Sequence, residues 1–219
     1  MSERRATLNE LRAAIARHHT APPSRSGGQV ETGLVAFDEP LGGGLPKSGL
    51  IELVCPANHP GATTLLVALL RQRARRQQWT ALIDSADQFD PQTAGAEALS
   101  RMLWLRCSNA REAFRSADLL LRDANLPLVI FDLRGANPTE LRRVPPNTWY
   151  RFQRLIEPAP VTLLTLTSRG QVPCAQVRLE LATGFDLDAL DREQQTNVTA
   201  CHLRVKSRGE VPAEASEAG

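Results

Sequence analysis

A chain of 219 residues, 42% of them apolar, is long enough to close one full core, and it points to a single globular domain with trimmed ends. A net charge of +2 does not by itself call for a nucleic-acid partner. The charged start MSERRATLNELRAAIARHH and the lack of any apolar run near the roughly 18 residues of a bilayer span argue against a signal peptide and a membrane helix, so a cytoplasmic protein is expected. Cys55, Cys107, Cys174 and Cys201 have neither paired nor zinc-type spacing, which predicts reduced thiols and no metal site. Lysine occurs only at Lys47 and Lys206; arginine suits phosphate and carboxylate forks, but codon bias is the plainer account of its excess.

In chain order, residues 7–18 carry Leu8, Leu11, Ala14 and Ile15 at helical spacing and predict an amphipathic helix, which APPSRSGG (21–28) ends as a linker. Short apolar runs follow at 50–54, 80–84, 102–107, 128–132 and 161–167. Stretches of helical period, such as 63–77 and 111–122, separate them. That alternation predicts an α/β fold with a mostly parallel central sheet and helices on both faces. After Thr167 the pattern changes: 175–182 and 199–207 alternate like half-exposed antiparallel strands at the C-terminal side. The expected organisation is a helix and linker over 1–31, a core domain over 32–209 and a disordered tail over 210–219.

The stretch LVCPANHPGATTLL (53–66) reads as strand, turn-rich loop and helix start, the position of a phosphate-binding loop. Such a loop presents backbone N–H groups and a helix N-terminus to the anion, with a lysine for the β/γ phosphates and a hydroxyl for magnesium. Gly61 fits the second glycine, Thr63 fits the hydroxyl and Thr64 continues the helix. The lysine position is Ala62, however, and the first glycine position falls on Pro56, or on Cys55 with one residue inserted. Pro56 and Pro60 restrict the wrapping. Loss of the cation costs about 2–5 kcal/mol, so tight triphosphate binding is not expected. Taken alone, Gly61 and Thr63 are better explained by an ordinary strand-to-helix turn.

The segment TGLVAFDEPLGGGLPKSGLIELVCP (32–56) resembles the approach to the phosphate loop of RecA-type recombinases. Thr32, Gly33, Asp38, Leu41, Gly42, Gly44, Leu45, Pro46, Gly49, Ile51 and Glu52 stand in the family's order. ALIDSADQFDP (81–91) is similar to the family's second strand and following loop, with Asp84, Asp90 and Pro91 in place, but Ala86 stands where the family carries its water-activating glutamate. LVIFD (128–132) resembles a Walker B strand ending in Asp132. With QVRLEL (176–181) and CHLRVKSRG (201–209) resembling late strands, the likeness covers 32–209 and implies a RecA-like core.

The same resemblance implies lost chemistry. Thr63 and Asp132 survive, whereas the loop lysine and the catalytic glutamate are Ala62 and Ala86, so no useful ATPase is expected. No cofactor is expected, with weak ATP and magnesium binding left open; Asp132 is read equally well as a cap on a neighbouring turn. Only SRGQVPCA (168–175) stands where the family has its long central DNA loop; Arg169, with Arg142 and Arg143 near the first loop, are the candidate DNA contacts, although solvated surface is the plainer account. RQRARRQQ (71–78) is explained as cations closing a helix.

This combination is similar to the ImuA type of RecA-like protein. It implies a non-catalytic accessory of the DNA-damage (SOS) response that supports error-prone translesion synthesis. The implied partners are polymerase-complex proteins of the ImuB type, with RecA as a further candidate. In this scheme the helix over 7–18 docks on a neighbour or folds back on its own sheet. Two other readings stay open: a working RecA-like ATPase with Lys47 or Arg134 in place of the lysine, although neither has the right spacing, and a direct single-stranded DNA binder.

Overall fold

The computed structural model describes residues 28–56, 60–182 and 203–208. The helix expected over 7–18, residues 21–27 of the linker expected over 21–28 and the tail over 210–219 lie outside the described residues.

The described chain opens with β1 (Gln29–Val30), which pairs antiparallel with β2 (Leu45–Pro46). Between them lies the short helix α1 (Val35–Leu41). Asp38 in α1 folds this entry onto itself, accepting hydrogen bonds from the Thr32 hydroxyl at 2.7 Å, the Thr32 N–H at 3.0 Å and the Gly33 N–H at 2.8 Å. The threonine, glycine and aspartate of the recombinase-like segment thus form a local clasp. Gly44 closes the hairpin at φ 143°, where an added Cβ would lie 2.4 Å from the Val30 carbonyl oxygen.

Five apolar runs become the parallel strands β3 (Leu50–Val54), β4 (Thr80–Asp84), β5 (Met102–Arg106), β6 (Leu128–Asp132) and β7 (Thr162–Thr167). Together with β8 (Val177–Leu181) and β9 (Leu203–Arg208) they form a seven-stranded sheet of order β5-β4-β6-β7-β3-β8-β9. Because successive side chains point to opposite faces, each strand feeds two cores. On one face Ile51, Leu53, Leu82, Ile130 and Leu164 pack with Leu65, Leu66 and Leu69 of α2 (Pro60–Arg75). On the other, Ala81, Ile83, Val129, Phe131 and Leu163 pack with α4 (Ala110–Asp123) and α6 (Asn147–Ile156). The chain therefore has the expected α/β architecture with helices on both faces, consistent with a RecA-like core.

Three details differ from the sequence reading. Helix α2 starts at Pro60 rather than at Thr63, since proline is well accommodated in a first turn, where its missing N–H has no intrahelical partner. Strand β8 is antiparallel only to β9; on its other side it runs parallel to β3, so the predicted antiparallel character belongs to one edge. Three helices, α3 (Pro91–Leu99), α5 (Pro138–Arg142) and α6, also stand where no helix is anticipated. Asp90 caps α3 through the N–H groups of Gln92 and Thr93, and Pro91 supplies its first residue, so two residues of the resemblance serve a helix start.

Strand β1 enters at the C-terminal end of α2. Arg76 donates to the Glu31 carboxylate at 3.0 Å and to the Glu31 carbonyl at 3.3 Å, and Lys47 N–H donates to the Gly28 carbonyl at 2.9 Å.

Candidate functional site

The residues singled out at the phosphate-loop position do come together where β3 and β6 end. A pocket of about 360 Å³ is lined by Ala62, Thr63, Asp84, Asp132, Arg134 and Gly135, among others. Gly61 and Ala62 are buried in the first turn of α2, Thr63 is exposed and Thr64 is half-buried. Loop residues 57–59 lie outside the described residues.

An arginine fills the position that the sequence reading left without a cation. Arg134 Nε lies 2.9 Å from Asp132 Oδ1 and its Nη2 lies 2.5 Å from Oδ2, a two-pronged ion pair reinforced by the Arg134 N–H to Oδ1 at 3.1 Å. Its Nη1 reaches the Thr63 hydroxyl at 3.4 Å. Burial acts to lower the guanidinium pKa, but the hydrogen bonds and charge of Asp132, helped by Asp84, outweigh it and hold the group above its ordinary value. Thr63 and Asp132, the two residues expected on the magnesium side, therefore both face an internal cation. Sequence spacing counted from the loop dismissed Arg134. The usable signal was its position two residues after Asp132, in the turn that leaves β6, because an aspartate side chain readily accepts the N–H two residues on and draws that residue beside it.

The other carboxylate is engaged as well. Asp84 accepts the N–H groups of Ala86 at 3.3 Å, Gln88 at 3.1 Å and Phe89 at 2.8 Å, closing the loop after β4. Ala86 supplies only a methyl group, and an added Cβ on Gly135 would sit 2.9 Å from it. Among the described residues the lining carries two carboxylates and one guanidinium, an unfavourable balance for a triphosphate.

The short stretch at the DNA-loop position is a pinned turn. Glu52, fully buried in the middle of β3, accepts from the Thr167 hydroxyl at 3.0 Å, Gln171 N–H at 2.7 Å, Val172 N–H at 3.2 Å and Arg178 Nε at 2.6 Å. Arg178 Nη2 in turn donates to the Val172 carbonyl at 2.7 Å. A lone carboxylate inside the apolar run LIELV was the sequence signal for such a cluster, since a buried charge needs partners. The candidate DNA contacts are not brought into one cleft. Arg169 is exposed on the pinned turn and Arg142 bonds to Thr139 at the end of α5. Arg143 lines a separate groove beside α4.

Cys55 and Cys107 are buried and Cys174 is half-buried; Cys201 lies outside the described residues. Among the described residues no helix is long and apolar enough to cross a membrane, and no cluster of histidine, cysteine and carboxylate side chains suits a metal ion.

A mostly parallel sheet with helices on both faces, a strand-to-helix connection after β3 and an aspartate at the end of β6 make this an α/β protein consistent with a RecA-like core, here with an arginine in the pocket beside that connection. No family model matches the chain. Protein RecA of Acinetobacter baumannii is 33% identical over 107 residues, 47% of this chain and 30% of that protein. Protein RecA of Frankia alni is 30% identical over 116 residues, 52% of this chain and 32% of that protein. The chain thus spans about a third of the length of the curated relatives it matches. These distant, partial matches support a RecA-like superfamily relationship.

Proposed function

We propose that this chain is a non-catalytic RecA-like accessory protein of the ImuA type. In this reading it acts in the cytoplasm in the bacterial DNA-damage (SOS) response. It supports error-prone translesion synthesis through contacts with polymerase-complex proteins of the ImuB type, and with RecA as a further candidate partner. The observation that carries the non-catalytic reading is the Arg134 fork on Asp132. A magnesium-nucleotide would have to displace a paired guanidinium, in a pocket with Ala62 in place of the cation. Ala86, beside Gly135, stands in place of the base, and phosphoryl transfer depends on those charges. The pinned turn after β7 supports a role away from the family's central DNA loop. The RecA resemblance supports the DNA-repair setting, and the ImuA-type resemblance carries its narrowing to translesion synthesis.

Calorimetric titration of the purified chain with magnesium and a non-hydrolysable ATP analogue tests the non-catalytic part; the expected result is no heat of binding at millimolar ligand. Micromolar binding, or ATP hydrolysis abolished by Asp132→Ala, overturns it. Co-purification with translesion polymerase-complex proteins that survives Thr63→Ala tests the partner assignment, and its absence removes that assignment.

A further inference from the structure

A cleft larger than the pocket beside Thr63 and Asp132 lies away from it. A groove of about 820 Å³ runs between α4 and the segment from α5 to the start of α6. Its walls carry Arg111, Arg115, Arg143 and Arg151. Of these, Arg151 is paired with Asp118 at 3.1 Å, whereas Arg111, Arg115 and Arg143 are exposed. The remaining carboxylate, Glu140, is held by the Ala110 N–H at 2.9 Å as a cap on α4. Between the charges the surface is apolar: Phe114 forms part of the floor, Val144 and Pro145 line one side, and Leu119 is 58% exposed on α4.

The floor is rigid. Phe114 meets Phe131 edge-on at 5.0 Å, Trp149 edge-on at 5.1 Å and Phe152 face to face at 5.9 Å, so α4 and α6 are locked through one aromatic cluster. A groove already in its binding shape spares an incoming chain the cost of ordering the receptor.

We propose that this groove docks an extended or helical segment of a partner protein in which one or two large apolar side chains are flanked by carboxylates. The apolar residues would cover Leu119 and the Phe114 floor, and the carboxylates would meet Arg111, Arg115 and Arg143. Charge complementarity chooses an acidic occupant. Two features choose a polypeptide over a nucleic-acid strand. The groove contains Asp118 and Glu140, which oppose a continuous run of phosphates, and its aromatic side chain lies in the floor, packed on other rings, with no free face for stacking a base. This inference rests on the reading of the chain as a contact protein and gives that contact an address.

The test is selection from a displayed random dodecapeptide library on the immobilised full chain, followed by fluorescence anisotropy of the enriched peptides and of a labelled 20-nucleotide oligo-dT. We expect enrichment of sequences that place aspartate or glutamate next to leucine, phenylalanine or isoleucine. Affinity should fall at least about tenfold in Arg115→Glu/Arg143→Glu and in Leu119→Asp, with the thermal midpoint unchanged because all three side chains are exposed. No enrichment, enriched peptides without acidic residues, or binding indifferent to all three substitutions overturns the proposal. So does oligo-dT binding lost in Arg115→Glu/Arg143→Glu, which would make the groove a nucleic-acid site. ATP turnover would refute the non-catalytic reading and leave this groove standing, so the two fail separately.

Discussion

Replacing Glu52 with alanine removes a carboxylate that serves four donors at once. It leaves Arg178 without its partner and the Gln171 and Val172 N–H groups without an acceptor. Breaking a buried ion pair by deleting one member costs about 3–5 kcal/mol. The Arg178 side chain keeps 32% of its surface in water, which favours the lower end, about 3 kcal/mol. At about 2–4 °C per kcal/mol for a domain of this size, the thermal midpoint should drop by about 6–12 °C. Urea unfolding followed by circular dichroism measures the loss, with an unchanged slope showing that stability and not compactness has altered. Glu52→Gln keeps the volume and one acceptor, so it should lose less. A double-mutant cycle with Arg178→Ala should return a coupling energy above about 1 kcal/mol. A loss below about 1 kcal/mol for Glu52→Ala, or no coupling to Arg178, would show that the turn after β7 is held by something other than this carboxylate.

Gly44→Ala adds a Cβ within 2.4–2.9 Å of backbone atoms of Val30 and Glu31 at a positive φ, so it should destabilise the chain by about 1–3 kcal/mol in the same urea assay. The opposite sign is expected at Arg73, which is 1% exposed, has an Nη2 with no hydrogen-bond partner and is pushed down to about 10, chiefly by burial and then by the charge of Arg76. Arg73→Met should leave stability unchanged or raise it by up to about 2 kcal/mol at neutral pH, and a loss above 1 kcal/mol would contradict this. Because the folded state holds the Arg73 proton less tightly than the unfolded chain, the wild type should gain on Arg73→Met as pH rises above about 10, as read by paired unfolding midpoints. Burial raises the thiols of Cys107 and Cys174 above their ordinary value, so iodoacetamide at pH 8 should alkylate both more slowly than a free cysteine, as followed by mass spectrometry.

Much of the fold was legible because parallel strands buried on both faces leave continuous apolar runs. LIELV, TALID and LVIFD could be placed almost to the residue. Helix α6 was missed even though Trp149, Phe152 and Ile156 repeat at helical spacing, because it starts just after a pair of prolines that read as loop. The fate of β8 was hidden for a different reason: its alternation reports one wet face but not which neighbour it joins, and it joins β3 across a gap of more than 100 residues in sequence. At the site, sequence order identified Thr63 and Asp132 but not Arg134, because the approach of the guanidinium to Thr63 Oγ1 spans 71 positions and exists only after the sheet has formed. The groove left no motif at all, since its arginines come from two helices and the turn between α5 and α6.

The clasp of Glu31 by Arg76 fixes where the chain enters the body, at the rim where the parallel strands begin; the groove beside α4 opens from the rim where they end. Strands of five residues separate the two rims by about 17 Å at roughly 3.3 Å per residue. Helix α2, which Arg76 follows, packs on one face of the sheet, whereas α4 and α6, which wall the groove, pack on the other. The sheet therefore stands as a partition between the entry of the chain and the groove.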